Sequence, residues 1–215
     1  MSDASALPPD LEKPCGVILA GGLSSRMGGG DKSLLQLDGR TLIEHVAARL
    51  APQCARLILN ANGDPSRFAA PDLPVASDSV PGHPGPLAGI LAGMEWAAVQ
   101  GHPHIVTAAA DTPFLPEDLV ARLRQSLLTE KVPIALAATP DPDGRPVIHP
   151  TFGLWPVALR HDLREALAGG TRRVRQWAET KGAAIALFSA VPYDPFFNVN
   201  TPADLVVARA MAHHT

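Results

Sequence analysis

The sequence predicts an α/β fold: a Rossmann-like, mostly parallel β-sheet with helices on both faces and one small antiparallel excursion. Short apolar runs bounded by turn residues alternate along the chain with segments whose apolar residues recur at helical spacing. This alternation is typical of βαβ units, whose crossover helices cover the sheet on both sides. It breaks down around Asp143-Gly144, a hairpin signal, and the antiparallel excursion is predicted there.

Four apolar runs are predicted as buried strands, because each has four to six residues and is closed by turn residues. They cover 15–19, 55–59, 105–110 and 134–138. A further segment, 148–155, has strand character with no helix before it, and we assign it to the antiparallel excursion.

Helices are predicted between these strands. Thr41 and Glu44 form a capping-box pattern, and Leu42, Val46 and Leu50 then recur at helical spacing. A second helix is expected over 86–100 and a third around Leu119, Leu123 and Leu127, with its first turn at 116–118. A last helix is expected over 201–212.

Composition excludes several classes of protein. Hydrophobic residues make up 46% of the 215 residues and charged residues 18%, which excludes disorder for most of the chain. The net charge is −3 and no basic stripe occurs, so a nucleic-acid partner is not expected. No apolar run approaches the ~18 residues of a membrane helix. We therefore expect a cytoplasmic protein with no membrane partner, in which a flexible leader (1–14) precedes one domain (15–215).

The two cysteines, Cys15 and Cys54, are too few and too far apart for a disulfide framework or a zinc site. Both lie in apolar runs, and we interpret them as small buried thiols.

A glycine-rich loop follows the first strand and carries the strongest functional signal. Gly21 and Gly22 let the backbone turn closely around a ligand, and consecutive N–H groups in such a loop bind anionic oxygens. Arg26 and Lys32 place positive charge in the same loop. The spacing matches neither the P-loop nor the dinucleotide fingerprint. These features favour a polyphosphate ligand over a merely solvated loop.

Polar residues follow several of the apolar runs. Asp111 ends the alanine-rich strand and suits either Mg²⁺, which takes one or two protein carboxylates, or a simple turn. Asn60 and Asp78 are compatible with ordinary turns. Asn198 and Asn200 alternate, so they face one side and suit either a polar heterocycle or the cap of the last helix.

The loop sequence Leu-Ala-Gly-Gly-x-Ser-x-Arg-Met-Gly-x-x-Asp-Lys, residues 19–32, resembles the signature of sugar-nucleotidyltransferase-like enzymes. The Gly-Gly pair and the Asp-Lys ending resemble, within that group, the molybdenum cofactor guanylyltransferases. The similarity covers roughly residues 15–207 and includes further motifs: Asn60-Ala-Asn62, Pro84–Gly89, Asp111–Leu115, His149–Gly153, Gly170–Val174 and Asn198–Pro202.

The resemblance implies a fold of the nucleotide-diphospho-sugar transferase type, with a nucleotide-binding N-terminal half and a molybdopterin-binding C-terminal half. It implies transfer of GMP from GTP to the terminal phosphate of molybdenum-molybdopterin, with release of pyrophosphate. The nucleotide side would comprise Leu19, Ala20, Gly21, Gly22, Lys32, Asn60, Asp78 and Asp111.

The resemblance also implies roles for individual residues. The amides of residues 20–22 would cradle the triphosphate, Arg26 and Lys32 would neutralise charge, and Asp111 would bind Mg²⁺, so these last three are the expected catalytic residues. Asn198 and Asn200 would contact the molybdopterin. Arg172, Arg173 and Arg175 could attract its phosphate, although surface arginines are usually just solvated.

Two alternatives stay open on the sequence. A cytidylyltransferase on the same cofactor would be expected to read Leu-Ala-Ala-Gly and Pro-Lys where this chain has Leu-Ala-Gly-Gly and Asp-Lys. A non-catalytic GTP-binding module that delivers the cofactor has less need of Arg26, Lys32 and Asp111 together. Molybdoenzyme apoproteins or cofactor chaperones are possible further partners in either case.

Overall fold

The computed structural model describes residues 13–21, 32–68, 72–82 and 85–212, with the side chain of Lys32 left out. Its strands are β1 (Cys15–Leu19), β2 (Gln36–Leu37), β3 (Arg40–Thr41), β4 (Arg56–Asn60), β5 (Val75–Ala76), β6 (His104–Ala109), β7 (Ile134–Pro140), β8 (Pro146–Pro156) and β9 (Ala183–Leu187). Its helices are α1 (Leu42–Leu50), α2 (Pro86–Val99), α3 (Leu119–Glu130), α4 (Arg160–Ala168), α5 (Val174–Lys181) and α6 (Pro202–Ala212).

Seven of these strands form one sheet in the order β5-β4-β1-β6-β8-β7-β9, and β2 pairs with β3 separately. All neighbours in the sheet are parallel except β8, which runs antiparallel to both β6 and β7. The predicted antiparallel excursion is therefore confirmed. Its hairpin is closed at Asp141, whose Oδ1 accepts the N–H groups of Asp143 and Arg145, while Gly144 takes a φ of 80°.

Helices cover both faces of the sheet, as predicted. On one face α1 and α3 contribute Ile43, Val46 and Leu123 to a continuous buried cluster. On the other face α2, α4 and α5 bury Ile90, Leu163 and Trp177 against the same strands. A third cluster at one edge joins the β2–β3 hairpin to α6.

The observed starts of α1 and α3 can be compared with the helix-start signals in the sequence. The capping box of α1 is confirmed: the Thr41 hydroxyl accepts the Glu44 N–H at 3.3 Å, and the Glu44 carboxylate accepts the Thr41 N–H at 2.7 Å. In contrast, α3 begins at Leu119, after the predicted first turn. Gln53, from the 3₁₀ turn that follows α1 (Ala51–Gln53), accepts the Val120 N–H at 2.9 Å and donates to the Pro116 carbonyl, so a tertiary contact caps this helix.

Several elements were not predicted from the sequence: α4, α5, β9, β5 and the β2–β3 hairpin. Of the predicted leader (1–14), the structure describes the last two residues, Lys13 and Pro14. Both are tied to the fold, because Lys13 donates to the Pro52 carbonyl at 2.7 Å and the Pro14 carbonyl accepts the Ala55 N–H at 2.9 Å. Residues 1–12 lie outside the described part.

Cys15 and Cys54 are buried and unbonded, as predicted. Burial raises the pKa of the Cys15 thiol to about 11 and that of Cys54 well above its usual range. Among the helices in the described ranges, none combines the length and the apolar character needed to cross a membrane.

Candidate functional site

The ends of three parallel strands lie side by side and define the candidate site. The Ala20 N–H donates to the Asn60 carbonyl at 2.9 Å, and the Ala110 N–H donates to the Leu19 carbonyl at 3.0 Å. The chain leaves β1 for β4 and β5 on one side and returns in β6 on the other. Such a switch point opens a crevice at the carboxyl edge of a sheet, where ligands of α/β proteins bind.

Asn60, the last residue of β4, is the central side chain on one side of this crevice. It is only 3% exposed, and its Nδ2 donates to the Ala76 carbonyl at 3.1 Å and to Asp78 Oδ1 at 3.0 Å. Its Oδ1 faces Gly21, since a Cβ built on that glycine would lie 3.7 Å from it. The structure therefore brings Asn60, Asp78 and Gly21 together, residues that the resemblance had assigned to one nucleotide side.

The Asp78 carboxylate is held by two asparagines. Asn62 Nδ2 donates to Asp78 Oδ2 at 2.8 Å, and Asn62 Oδ1 accepts the Asp78 N–H at 2.9 Å. Together with the bond from Asn60, each carboxylate oxygen accepts one side-chain amide. Asn62 was quoted in a motif but not predicted as a site residue, although its position two residues after Asn60 is a signal that could have identified it.

The amino end of α2 lies against these residues. The helix starts at Pro86, after Gly85 with a φ of 77°, and no side chain in the described part of the chain caps it. Gly89, in its second turn, sits so close that an added Cβ would lie 2.2 Å from Asn60 Oδ1 and 2.8 Å from Leu19 Cδ2. Only glycine lets the helix approach this edge, where its N-terminus favours anionic groups.

Asp111 and Asn198 meet on the other side of the crevice. The hydroxyl of Thr112, fully buried, donates to Asn198 Oδ1 at 2.6 Å and lies 3.4 Å from Asp111 Oδ1. The Val199 N–H donates to the Asp111 carbonyl at 2.8 Å. The predicted metal-side and molybdopterin-side residues thus form one cluster, although Thr112 itself was not predicted.

Asn200 flanks the same segment. Val199 between the two asparagines is fully buried whereas both asparagines are more exposed, as the predicted alternation requires. The cap of α6 is formed by Thr201, whose hydroxyl accepts the Asp204 N–H at 3.1 Å. Asp204 in turn accepts the N–H groups of Asn200 and Thr201, which anchors the segment at the helix start.

Gly22 and Arg26 lie outside the described residues. Lys32 opens a short 3₁₀ turn (Lys32–Leu34), and its side chain is likewise outside the description. This turn leads into the β2–β3 hairpin, where Leu37 packs in one buried cluster with Phe114 and Val199. The hairpin that follows the glycine-rich loop is therefore packed against the Asp111–Asn198 side of the crevice.

The residues fit a magnesium ion shared with a substrate better than a metal cage made by the protein. In the described ranges no three His, Cys, Asp or Glu residues come close enough to hold a metal. Asp111 offers one partly exposed carboxylate at the strand end. One carboxylate combined with substrate phosphates is a donor set that Mg²⁺ commonly uses.

Two of the three arginines in 172–175 have hydrogen-bond or ion-pair partners within the protein. Arg172 donates to the carbonyls of Leu167 and Thr171, both at 2.9 Å, and so completes the end of α4. Arg175 pairs with Glu179 at 2.6 Å along α5. These contacts favour the simpler of the two interpretations that the sequence allowed, in which the arginines are surface residues.

Comparisons with known proteins agree with this geometry. Residues 16–184 match the family model described as MobA-like NTP transferase domain. The molybdenum cofactor guanylyltransferase of Bradyrhizobium sp. (strain ORS 278) is 52% identical over 200 residues, which cover 92% of each chain. That of Rhodopseudomonas palustris (strain BisB5) is 50% identical over 199 residues, covering 91% of this chain and 92% of the relative.

Solved structures share the fold. Molybdopterin-guanine dinucleotide biosynthesis protein A from Archaeoglobus fulgidus has a TM-score of 0.67 at 22% identity, covering 94% of this chain and 100% of its own. A CMP:2-keto-3-deoxy-manno-octonic acid synthetase has a TM-score of 0.71 at 18% identity, with 95% and 100% covered. The fold is therefore of the predicted nucleotide-diphospho-sugar transferase type. The chain belongs to the molybdenum cofactor guanylyltransferase family and is a nucleotidyltransferase.

Proposed function

We propose that the protein transfers GMP from GTP to the terminal phosphate of molybdenum-molybdopterin and releases pyrophosphate. The observation that carries this proposal is the joining of the ends of β4, β1 and β6 at one crevice. Asn60 and Asp78 lie on one side of the end of β1, and Asp111 and Asn198 lie on the other. We propose that the first pair binds the nucleotide, that Asp111 holds the metal, and that Asn198 contacts the second substrate. A transferase needs two substrates aligned across one such site.

The Asp78 carboxylate supports guanine as the base. A carboxylate has about four acceptor positions, and among the described residues the side chains of Asn60 and Asn62 use one on each oxygen. We propose that the base uses a second position on each oxygen. Guanine offers two adjacent N–H donors on its Watson–Crick edge, which match two acceptor oxygens. Cytosine offers one amino donor beside acceptor atoms, and these would face the carboxylate unfavourably. We therefore assign Asp78 as the residue that reads the base.

The phosphates would lie along the loop after β1. Because the Ala20 N–H is already bonded to the Asn60 carbonyl, the amide cradle predicted for 20–22 is now proposed to begin at Gly21. Arg26 and Lys32 are proposed to neutralise the α-phosphate and the departing pyrophosphate. The amino end of α2 adds a favourable dipole for the same anions.

The second substrate needs no general base. The second pKa of a phosphate monoester is near ~6, so its terminal phosphate is already largely ionised at neutral pH. Asn198 and Asn200 are proposed to orient it, and Asp111 is proposed to hold Mg²⁺. When bound, Mg²⁺ supplies charge neutralisation at the phosphate oxygens of the nucleotide. Delivery of the product to molybdoenzyme apoproteins or chaperones stays a prediction.

The test is pyrophosphate release in the presence of Mg²⁺ and molybdenum-molybdopterin, with GTP or CTP, followed by mass analysis of the dinucleotide product. Release with GTP is expected to exceed release with CTP by at least about tenfold, which corresponds to ~1.4 kcal/mol. Preference for CTP would assign the chain to cytidylyl transfer instead. GTP binding without any pyrophosphate would indicate the non-catalytic module.

A matched pair of variants connects this activity to the crevice. Asp111→Asn removes the proposed metal carboxylate. Asp162→Asn is the control and removes a carboxylate on α4. The Asp162 carboxylate accepts hydrogen bonds from Lys181 at 2.5 Å and from Trp177 at 2.9 Å, and neither partner is a proposed site residue. Loss of pyrophosphate release in the first variant alone is expected. Equal loss in both would point to a general effect on folding.

A further inference from the structure

We propose that Thr112 is a positioning residue: its hydroxyl orients the Asn198 amide so that the amide presents N–H donors to the second substrate. This inference rests on the proposed function, in which Asn198 faces the molybdopterin. It assigns a role to a fully buried side chain and states what Asn198 recognises, namely an acceptor atom such as a phosphate oxygen or a ring carbonyl.

The contact joins two parts of the chain that are far apart in sequence. Thr112 Oγ1 lies 2.6 Å from Asn198 Oδ1, across 86 residues. Thr112 is 0% exposed, whereas Asn198 is exposed at the mouth of the crevice. A buried hydroxyl bonded to an exposed amide can fix that amide without occupying the space in front of it.

The direction of the bond follows from the donors available. A threonine hydroxyl has a single hydrogen to donate. The Asn198 oxygen at 2.6 Å is a far better acceptor position than the Asp111 oxygen at 3.4 Å. With its oxygen held by Thr112, the Asn198 amide directs its two N–H groups away from Thr112. A ligand atom at that position must accept hydrogen bonds.

Other contacts hold the backbone of this segment without Thr112. The Val199 N–H donates to the Asp111 carbonyl, and Asp204 accepts the Asn200 N–H. Upstream, the Phe196 ring stacks on His149 at 4.5 Å between centroids. Removing the Thr112 hydroxyl should therefore free the amide of Asn198 while the backbone around it stays in place.

The experiment compares Thr112→Val, which keeps the shape, with Thr112→Ser, which keeps the hydroxyl. KM for molybdenum-molybdopterin is measured at saturating GTP and Mg²⁺. Thr112→Val is expected to raise this KM about threefold to tenfold, the effect of one hydrogen bond, with kcat within about twofold. Thr112→Ser should keep the wild-type KM, and the Kd for GTP should be unchanged in both variants.

A double-mutant cycle separates positioning from a general structural role. Asn198→Ala alone should raise the same KM by about tenfold or more. Adding Thr112→Val to Asn198→Ala should then change it by less than about twofold, because the group that Thr112 orients is gone. If Thr112→Val raised KM by the same factor in the wild type and in Asn198→Ala, the proposal would be overturned. A change in GTP affinity as large as the change in KM, or a serine variant that behaves like valine, would also overturn it.

An NMR measurement that does not depend on turnover tests the positioning role of Thr112 separately from the proposed function. The side-chain NH₂ signals of Asn198 are assigned in an ¹⁵N spectrum by their loss in Asn198→Ala. They are expected to keep their positions in Thr112→Ser and to shift in Thr112→Val. No turnover by the wild type would refute the proposed function alone, whereas unshifted Asn198 signals in Thr112→Val would refute the positioning role.

Discussion

Replacing Gly89 by alanine should weaken nucleotide binding through Asn60. The new Cβ would lie 2.2 Å from Asn60 Oδ1 and 2.9 Å from Asn60 Cγ, distances that real Cβ atoms do not adopt. The amide therefore has to move, and its bonds to the Ala76 carbonyl and to Asp78 are lost or lengthened. Of its two side-chain donors among the described residues, the Asp78 carboxylate then keeps Asn62.

The magnitude can be worked from these contacts. Two lost hydrogen bonds cost about 1–3 kcal/mol in total. Overpacking adds about 1–3 kcal/mol, and the better helix propensity of alanine returns about 1 kcal/mol. The free energy of unfolding should therefore fall by about 1–5 kcal/mol. The Kd for GTP should rise about threefold to tenfold, because one hydrogen bond that holds the Asp78 carboxylate is removed.

Gly93→Ala is the matched control, since it lies one turn further along the same helix face. Its Cβ would lie 2.5 Å from Val17 Cγ2 and 3.3 Å from Ile105 Cδ1, so it crowds apolar side chains and leaves Asn60 in place. By the same arithmetic, overpacking of about 1–3 kcal/mol less about 1 kcal/mol of propensity leaves a cost of about 0–2 kcal/mol.

The assay is calorimetric titration with GTP, at a temperature where urea denaturation shows both variants folded. Gly89→Ala should lose GTP affinity and Gly93→Ala should keep it. Equal GTP affinity in the two variants would refute the coupling of α2, Asn60 and Asp78 on which the nucleotide site depends.

Three further predictions concern charge and protonation. Asp111→Asn should remove the Mg²⁺ dependence of GTP binding, measured by titration with and without Mg²⁺; unchanged dependence would exclude Asp111 as the metal residue. Lys32→Ala should lower kcat by about 10²–10³-fold with an unchanged melting temperature, and near-normal turnover would remove Lys32 from the mechanism. Burial lowers the pKa of His149 below its ordinary 6.5, against a smaller opposing effect of Asp194. Below pH 6.5 the unfolded chain therefore binds protons at His149 that the folded chain does not bind. The free energy of unfolding should fall as the pH drops below 6.5. Urea denaturation of His149→Gln should show a smaller fall over the same pH range.

The sequence predicted those elements whose ends are fixed by hydrogen bonds between residues close together in the chain. The Thr41–Glu44 box starts α1 through contacts three residues apart, and the Asp143-Gly144 turn closes its hairpin through contacts within five residues. By contrast, α4 and α5 are short and polar outside the few residues they bury, such as Leu163 and Trp177. Their buried residues nevertheless recur at helical spacing, Leu163 and Leu167 in α4 and Val174 and Trp177 in α5, so this pattern could have predicted both helices.

The candidate site likewise contains features that the sequence predicted and contacts that it did not. The glycine-rich loop and Asp111 follow strands that the sequence identifies, so their place at the carboxyl edge could be predicted. The bond between Asn60 and Asp78 depends on the pairing of β4 with the two-residue strand β5, which no local pattern indicates. Likewise, Thr112 and Asn198 meet only because the chain after β9 returns to the end of β6.

The most direct test of the account is a crystal structure of the protein with GTP and Mg²⁺. We predict that the guanine edge lies against the Asp78 carboxylate and that the phosphates lie along the loop after β1, with the metal at Asp111. A nucleotide bound elsewhere, such as at the exposed Arg173 and Arg175 near the start of α5, or a base that does not contact Asp78, would contradict it.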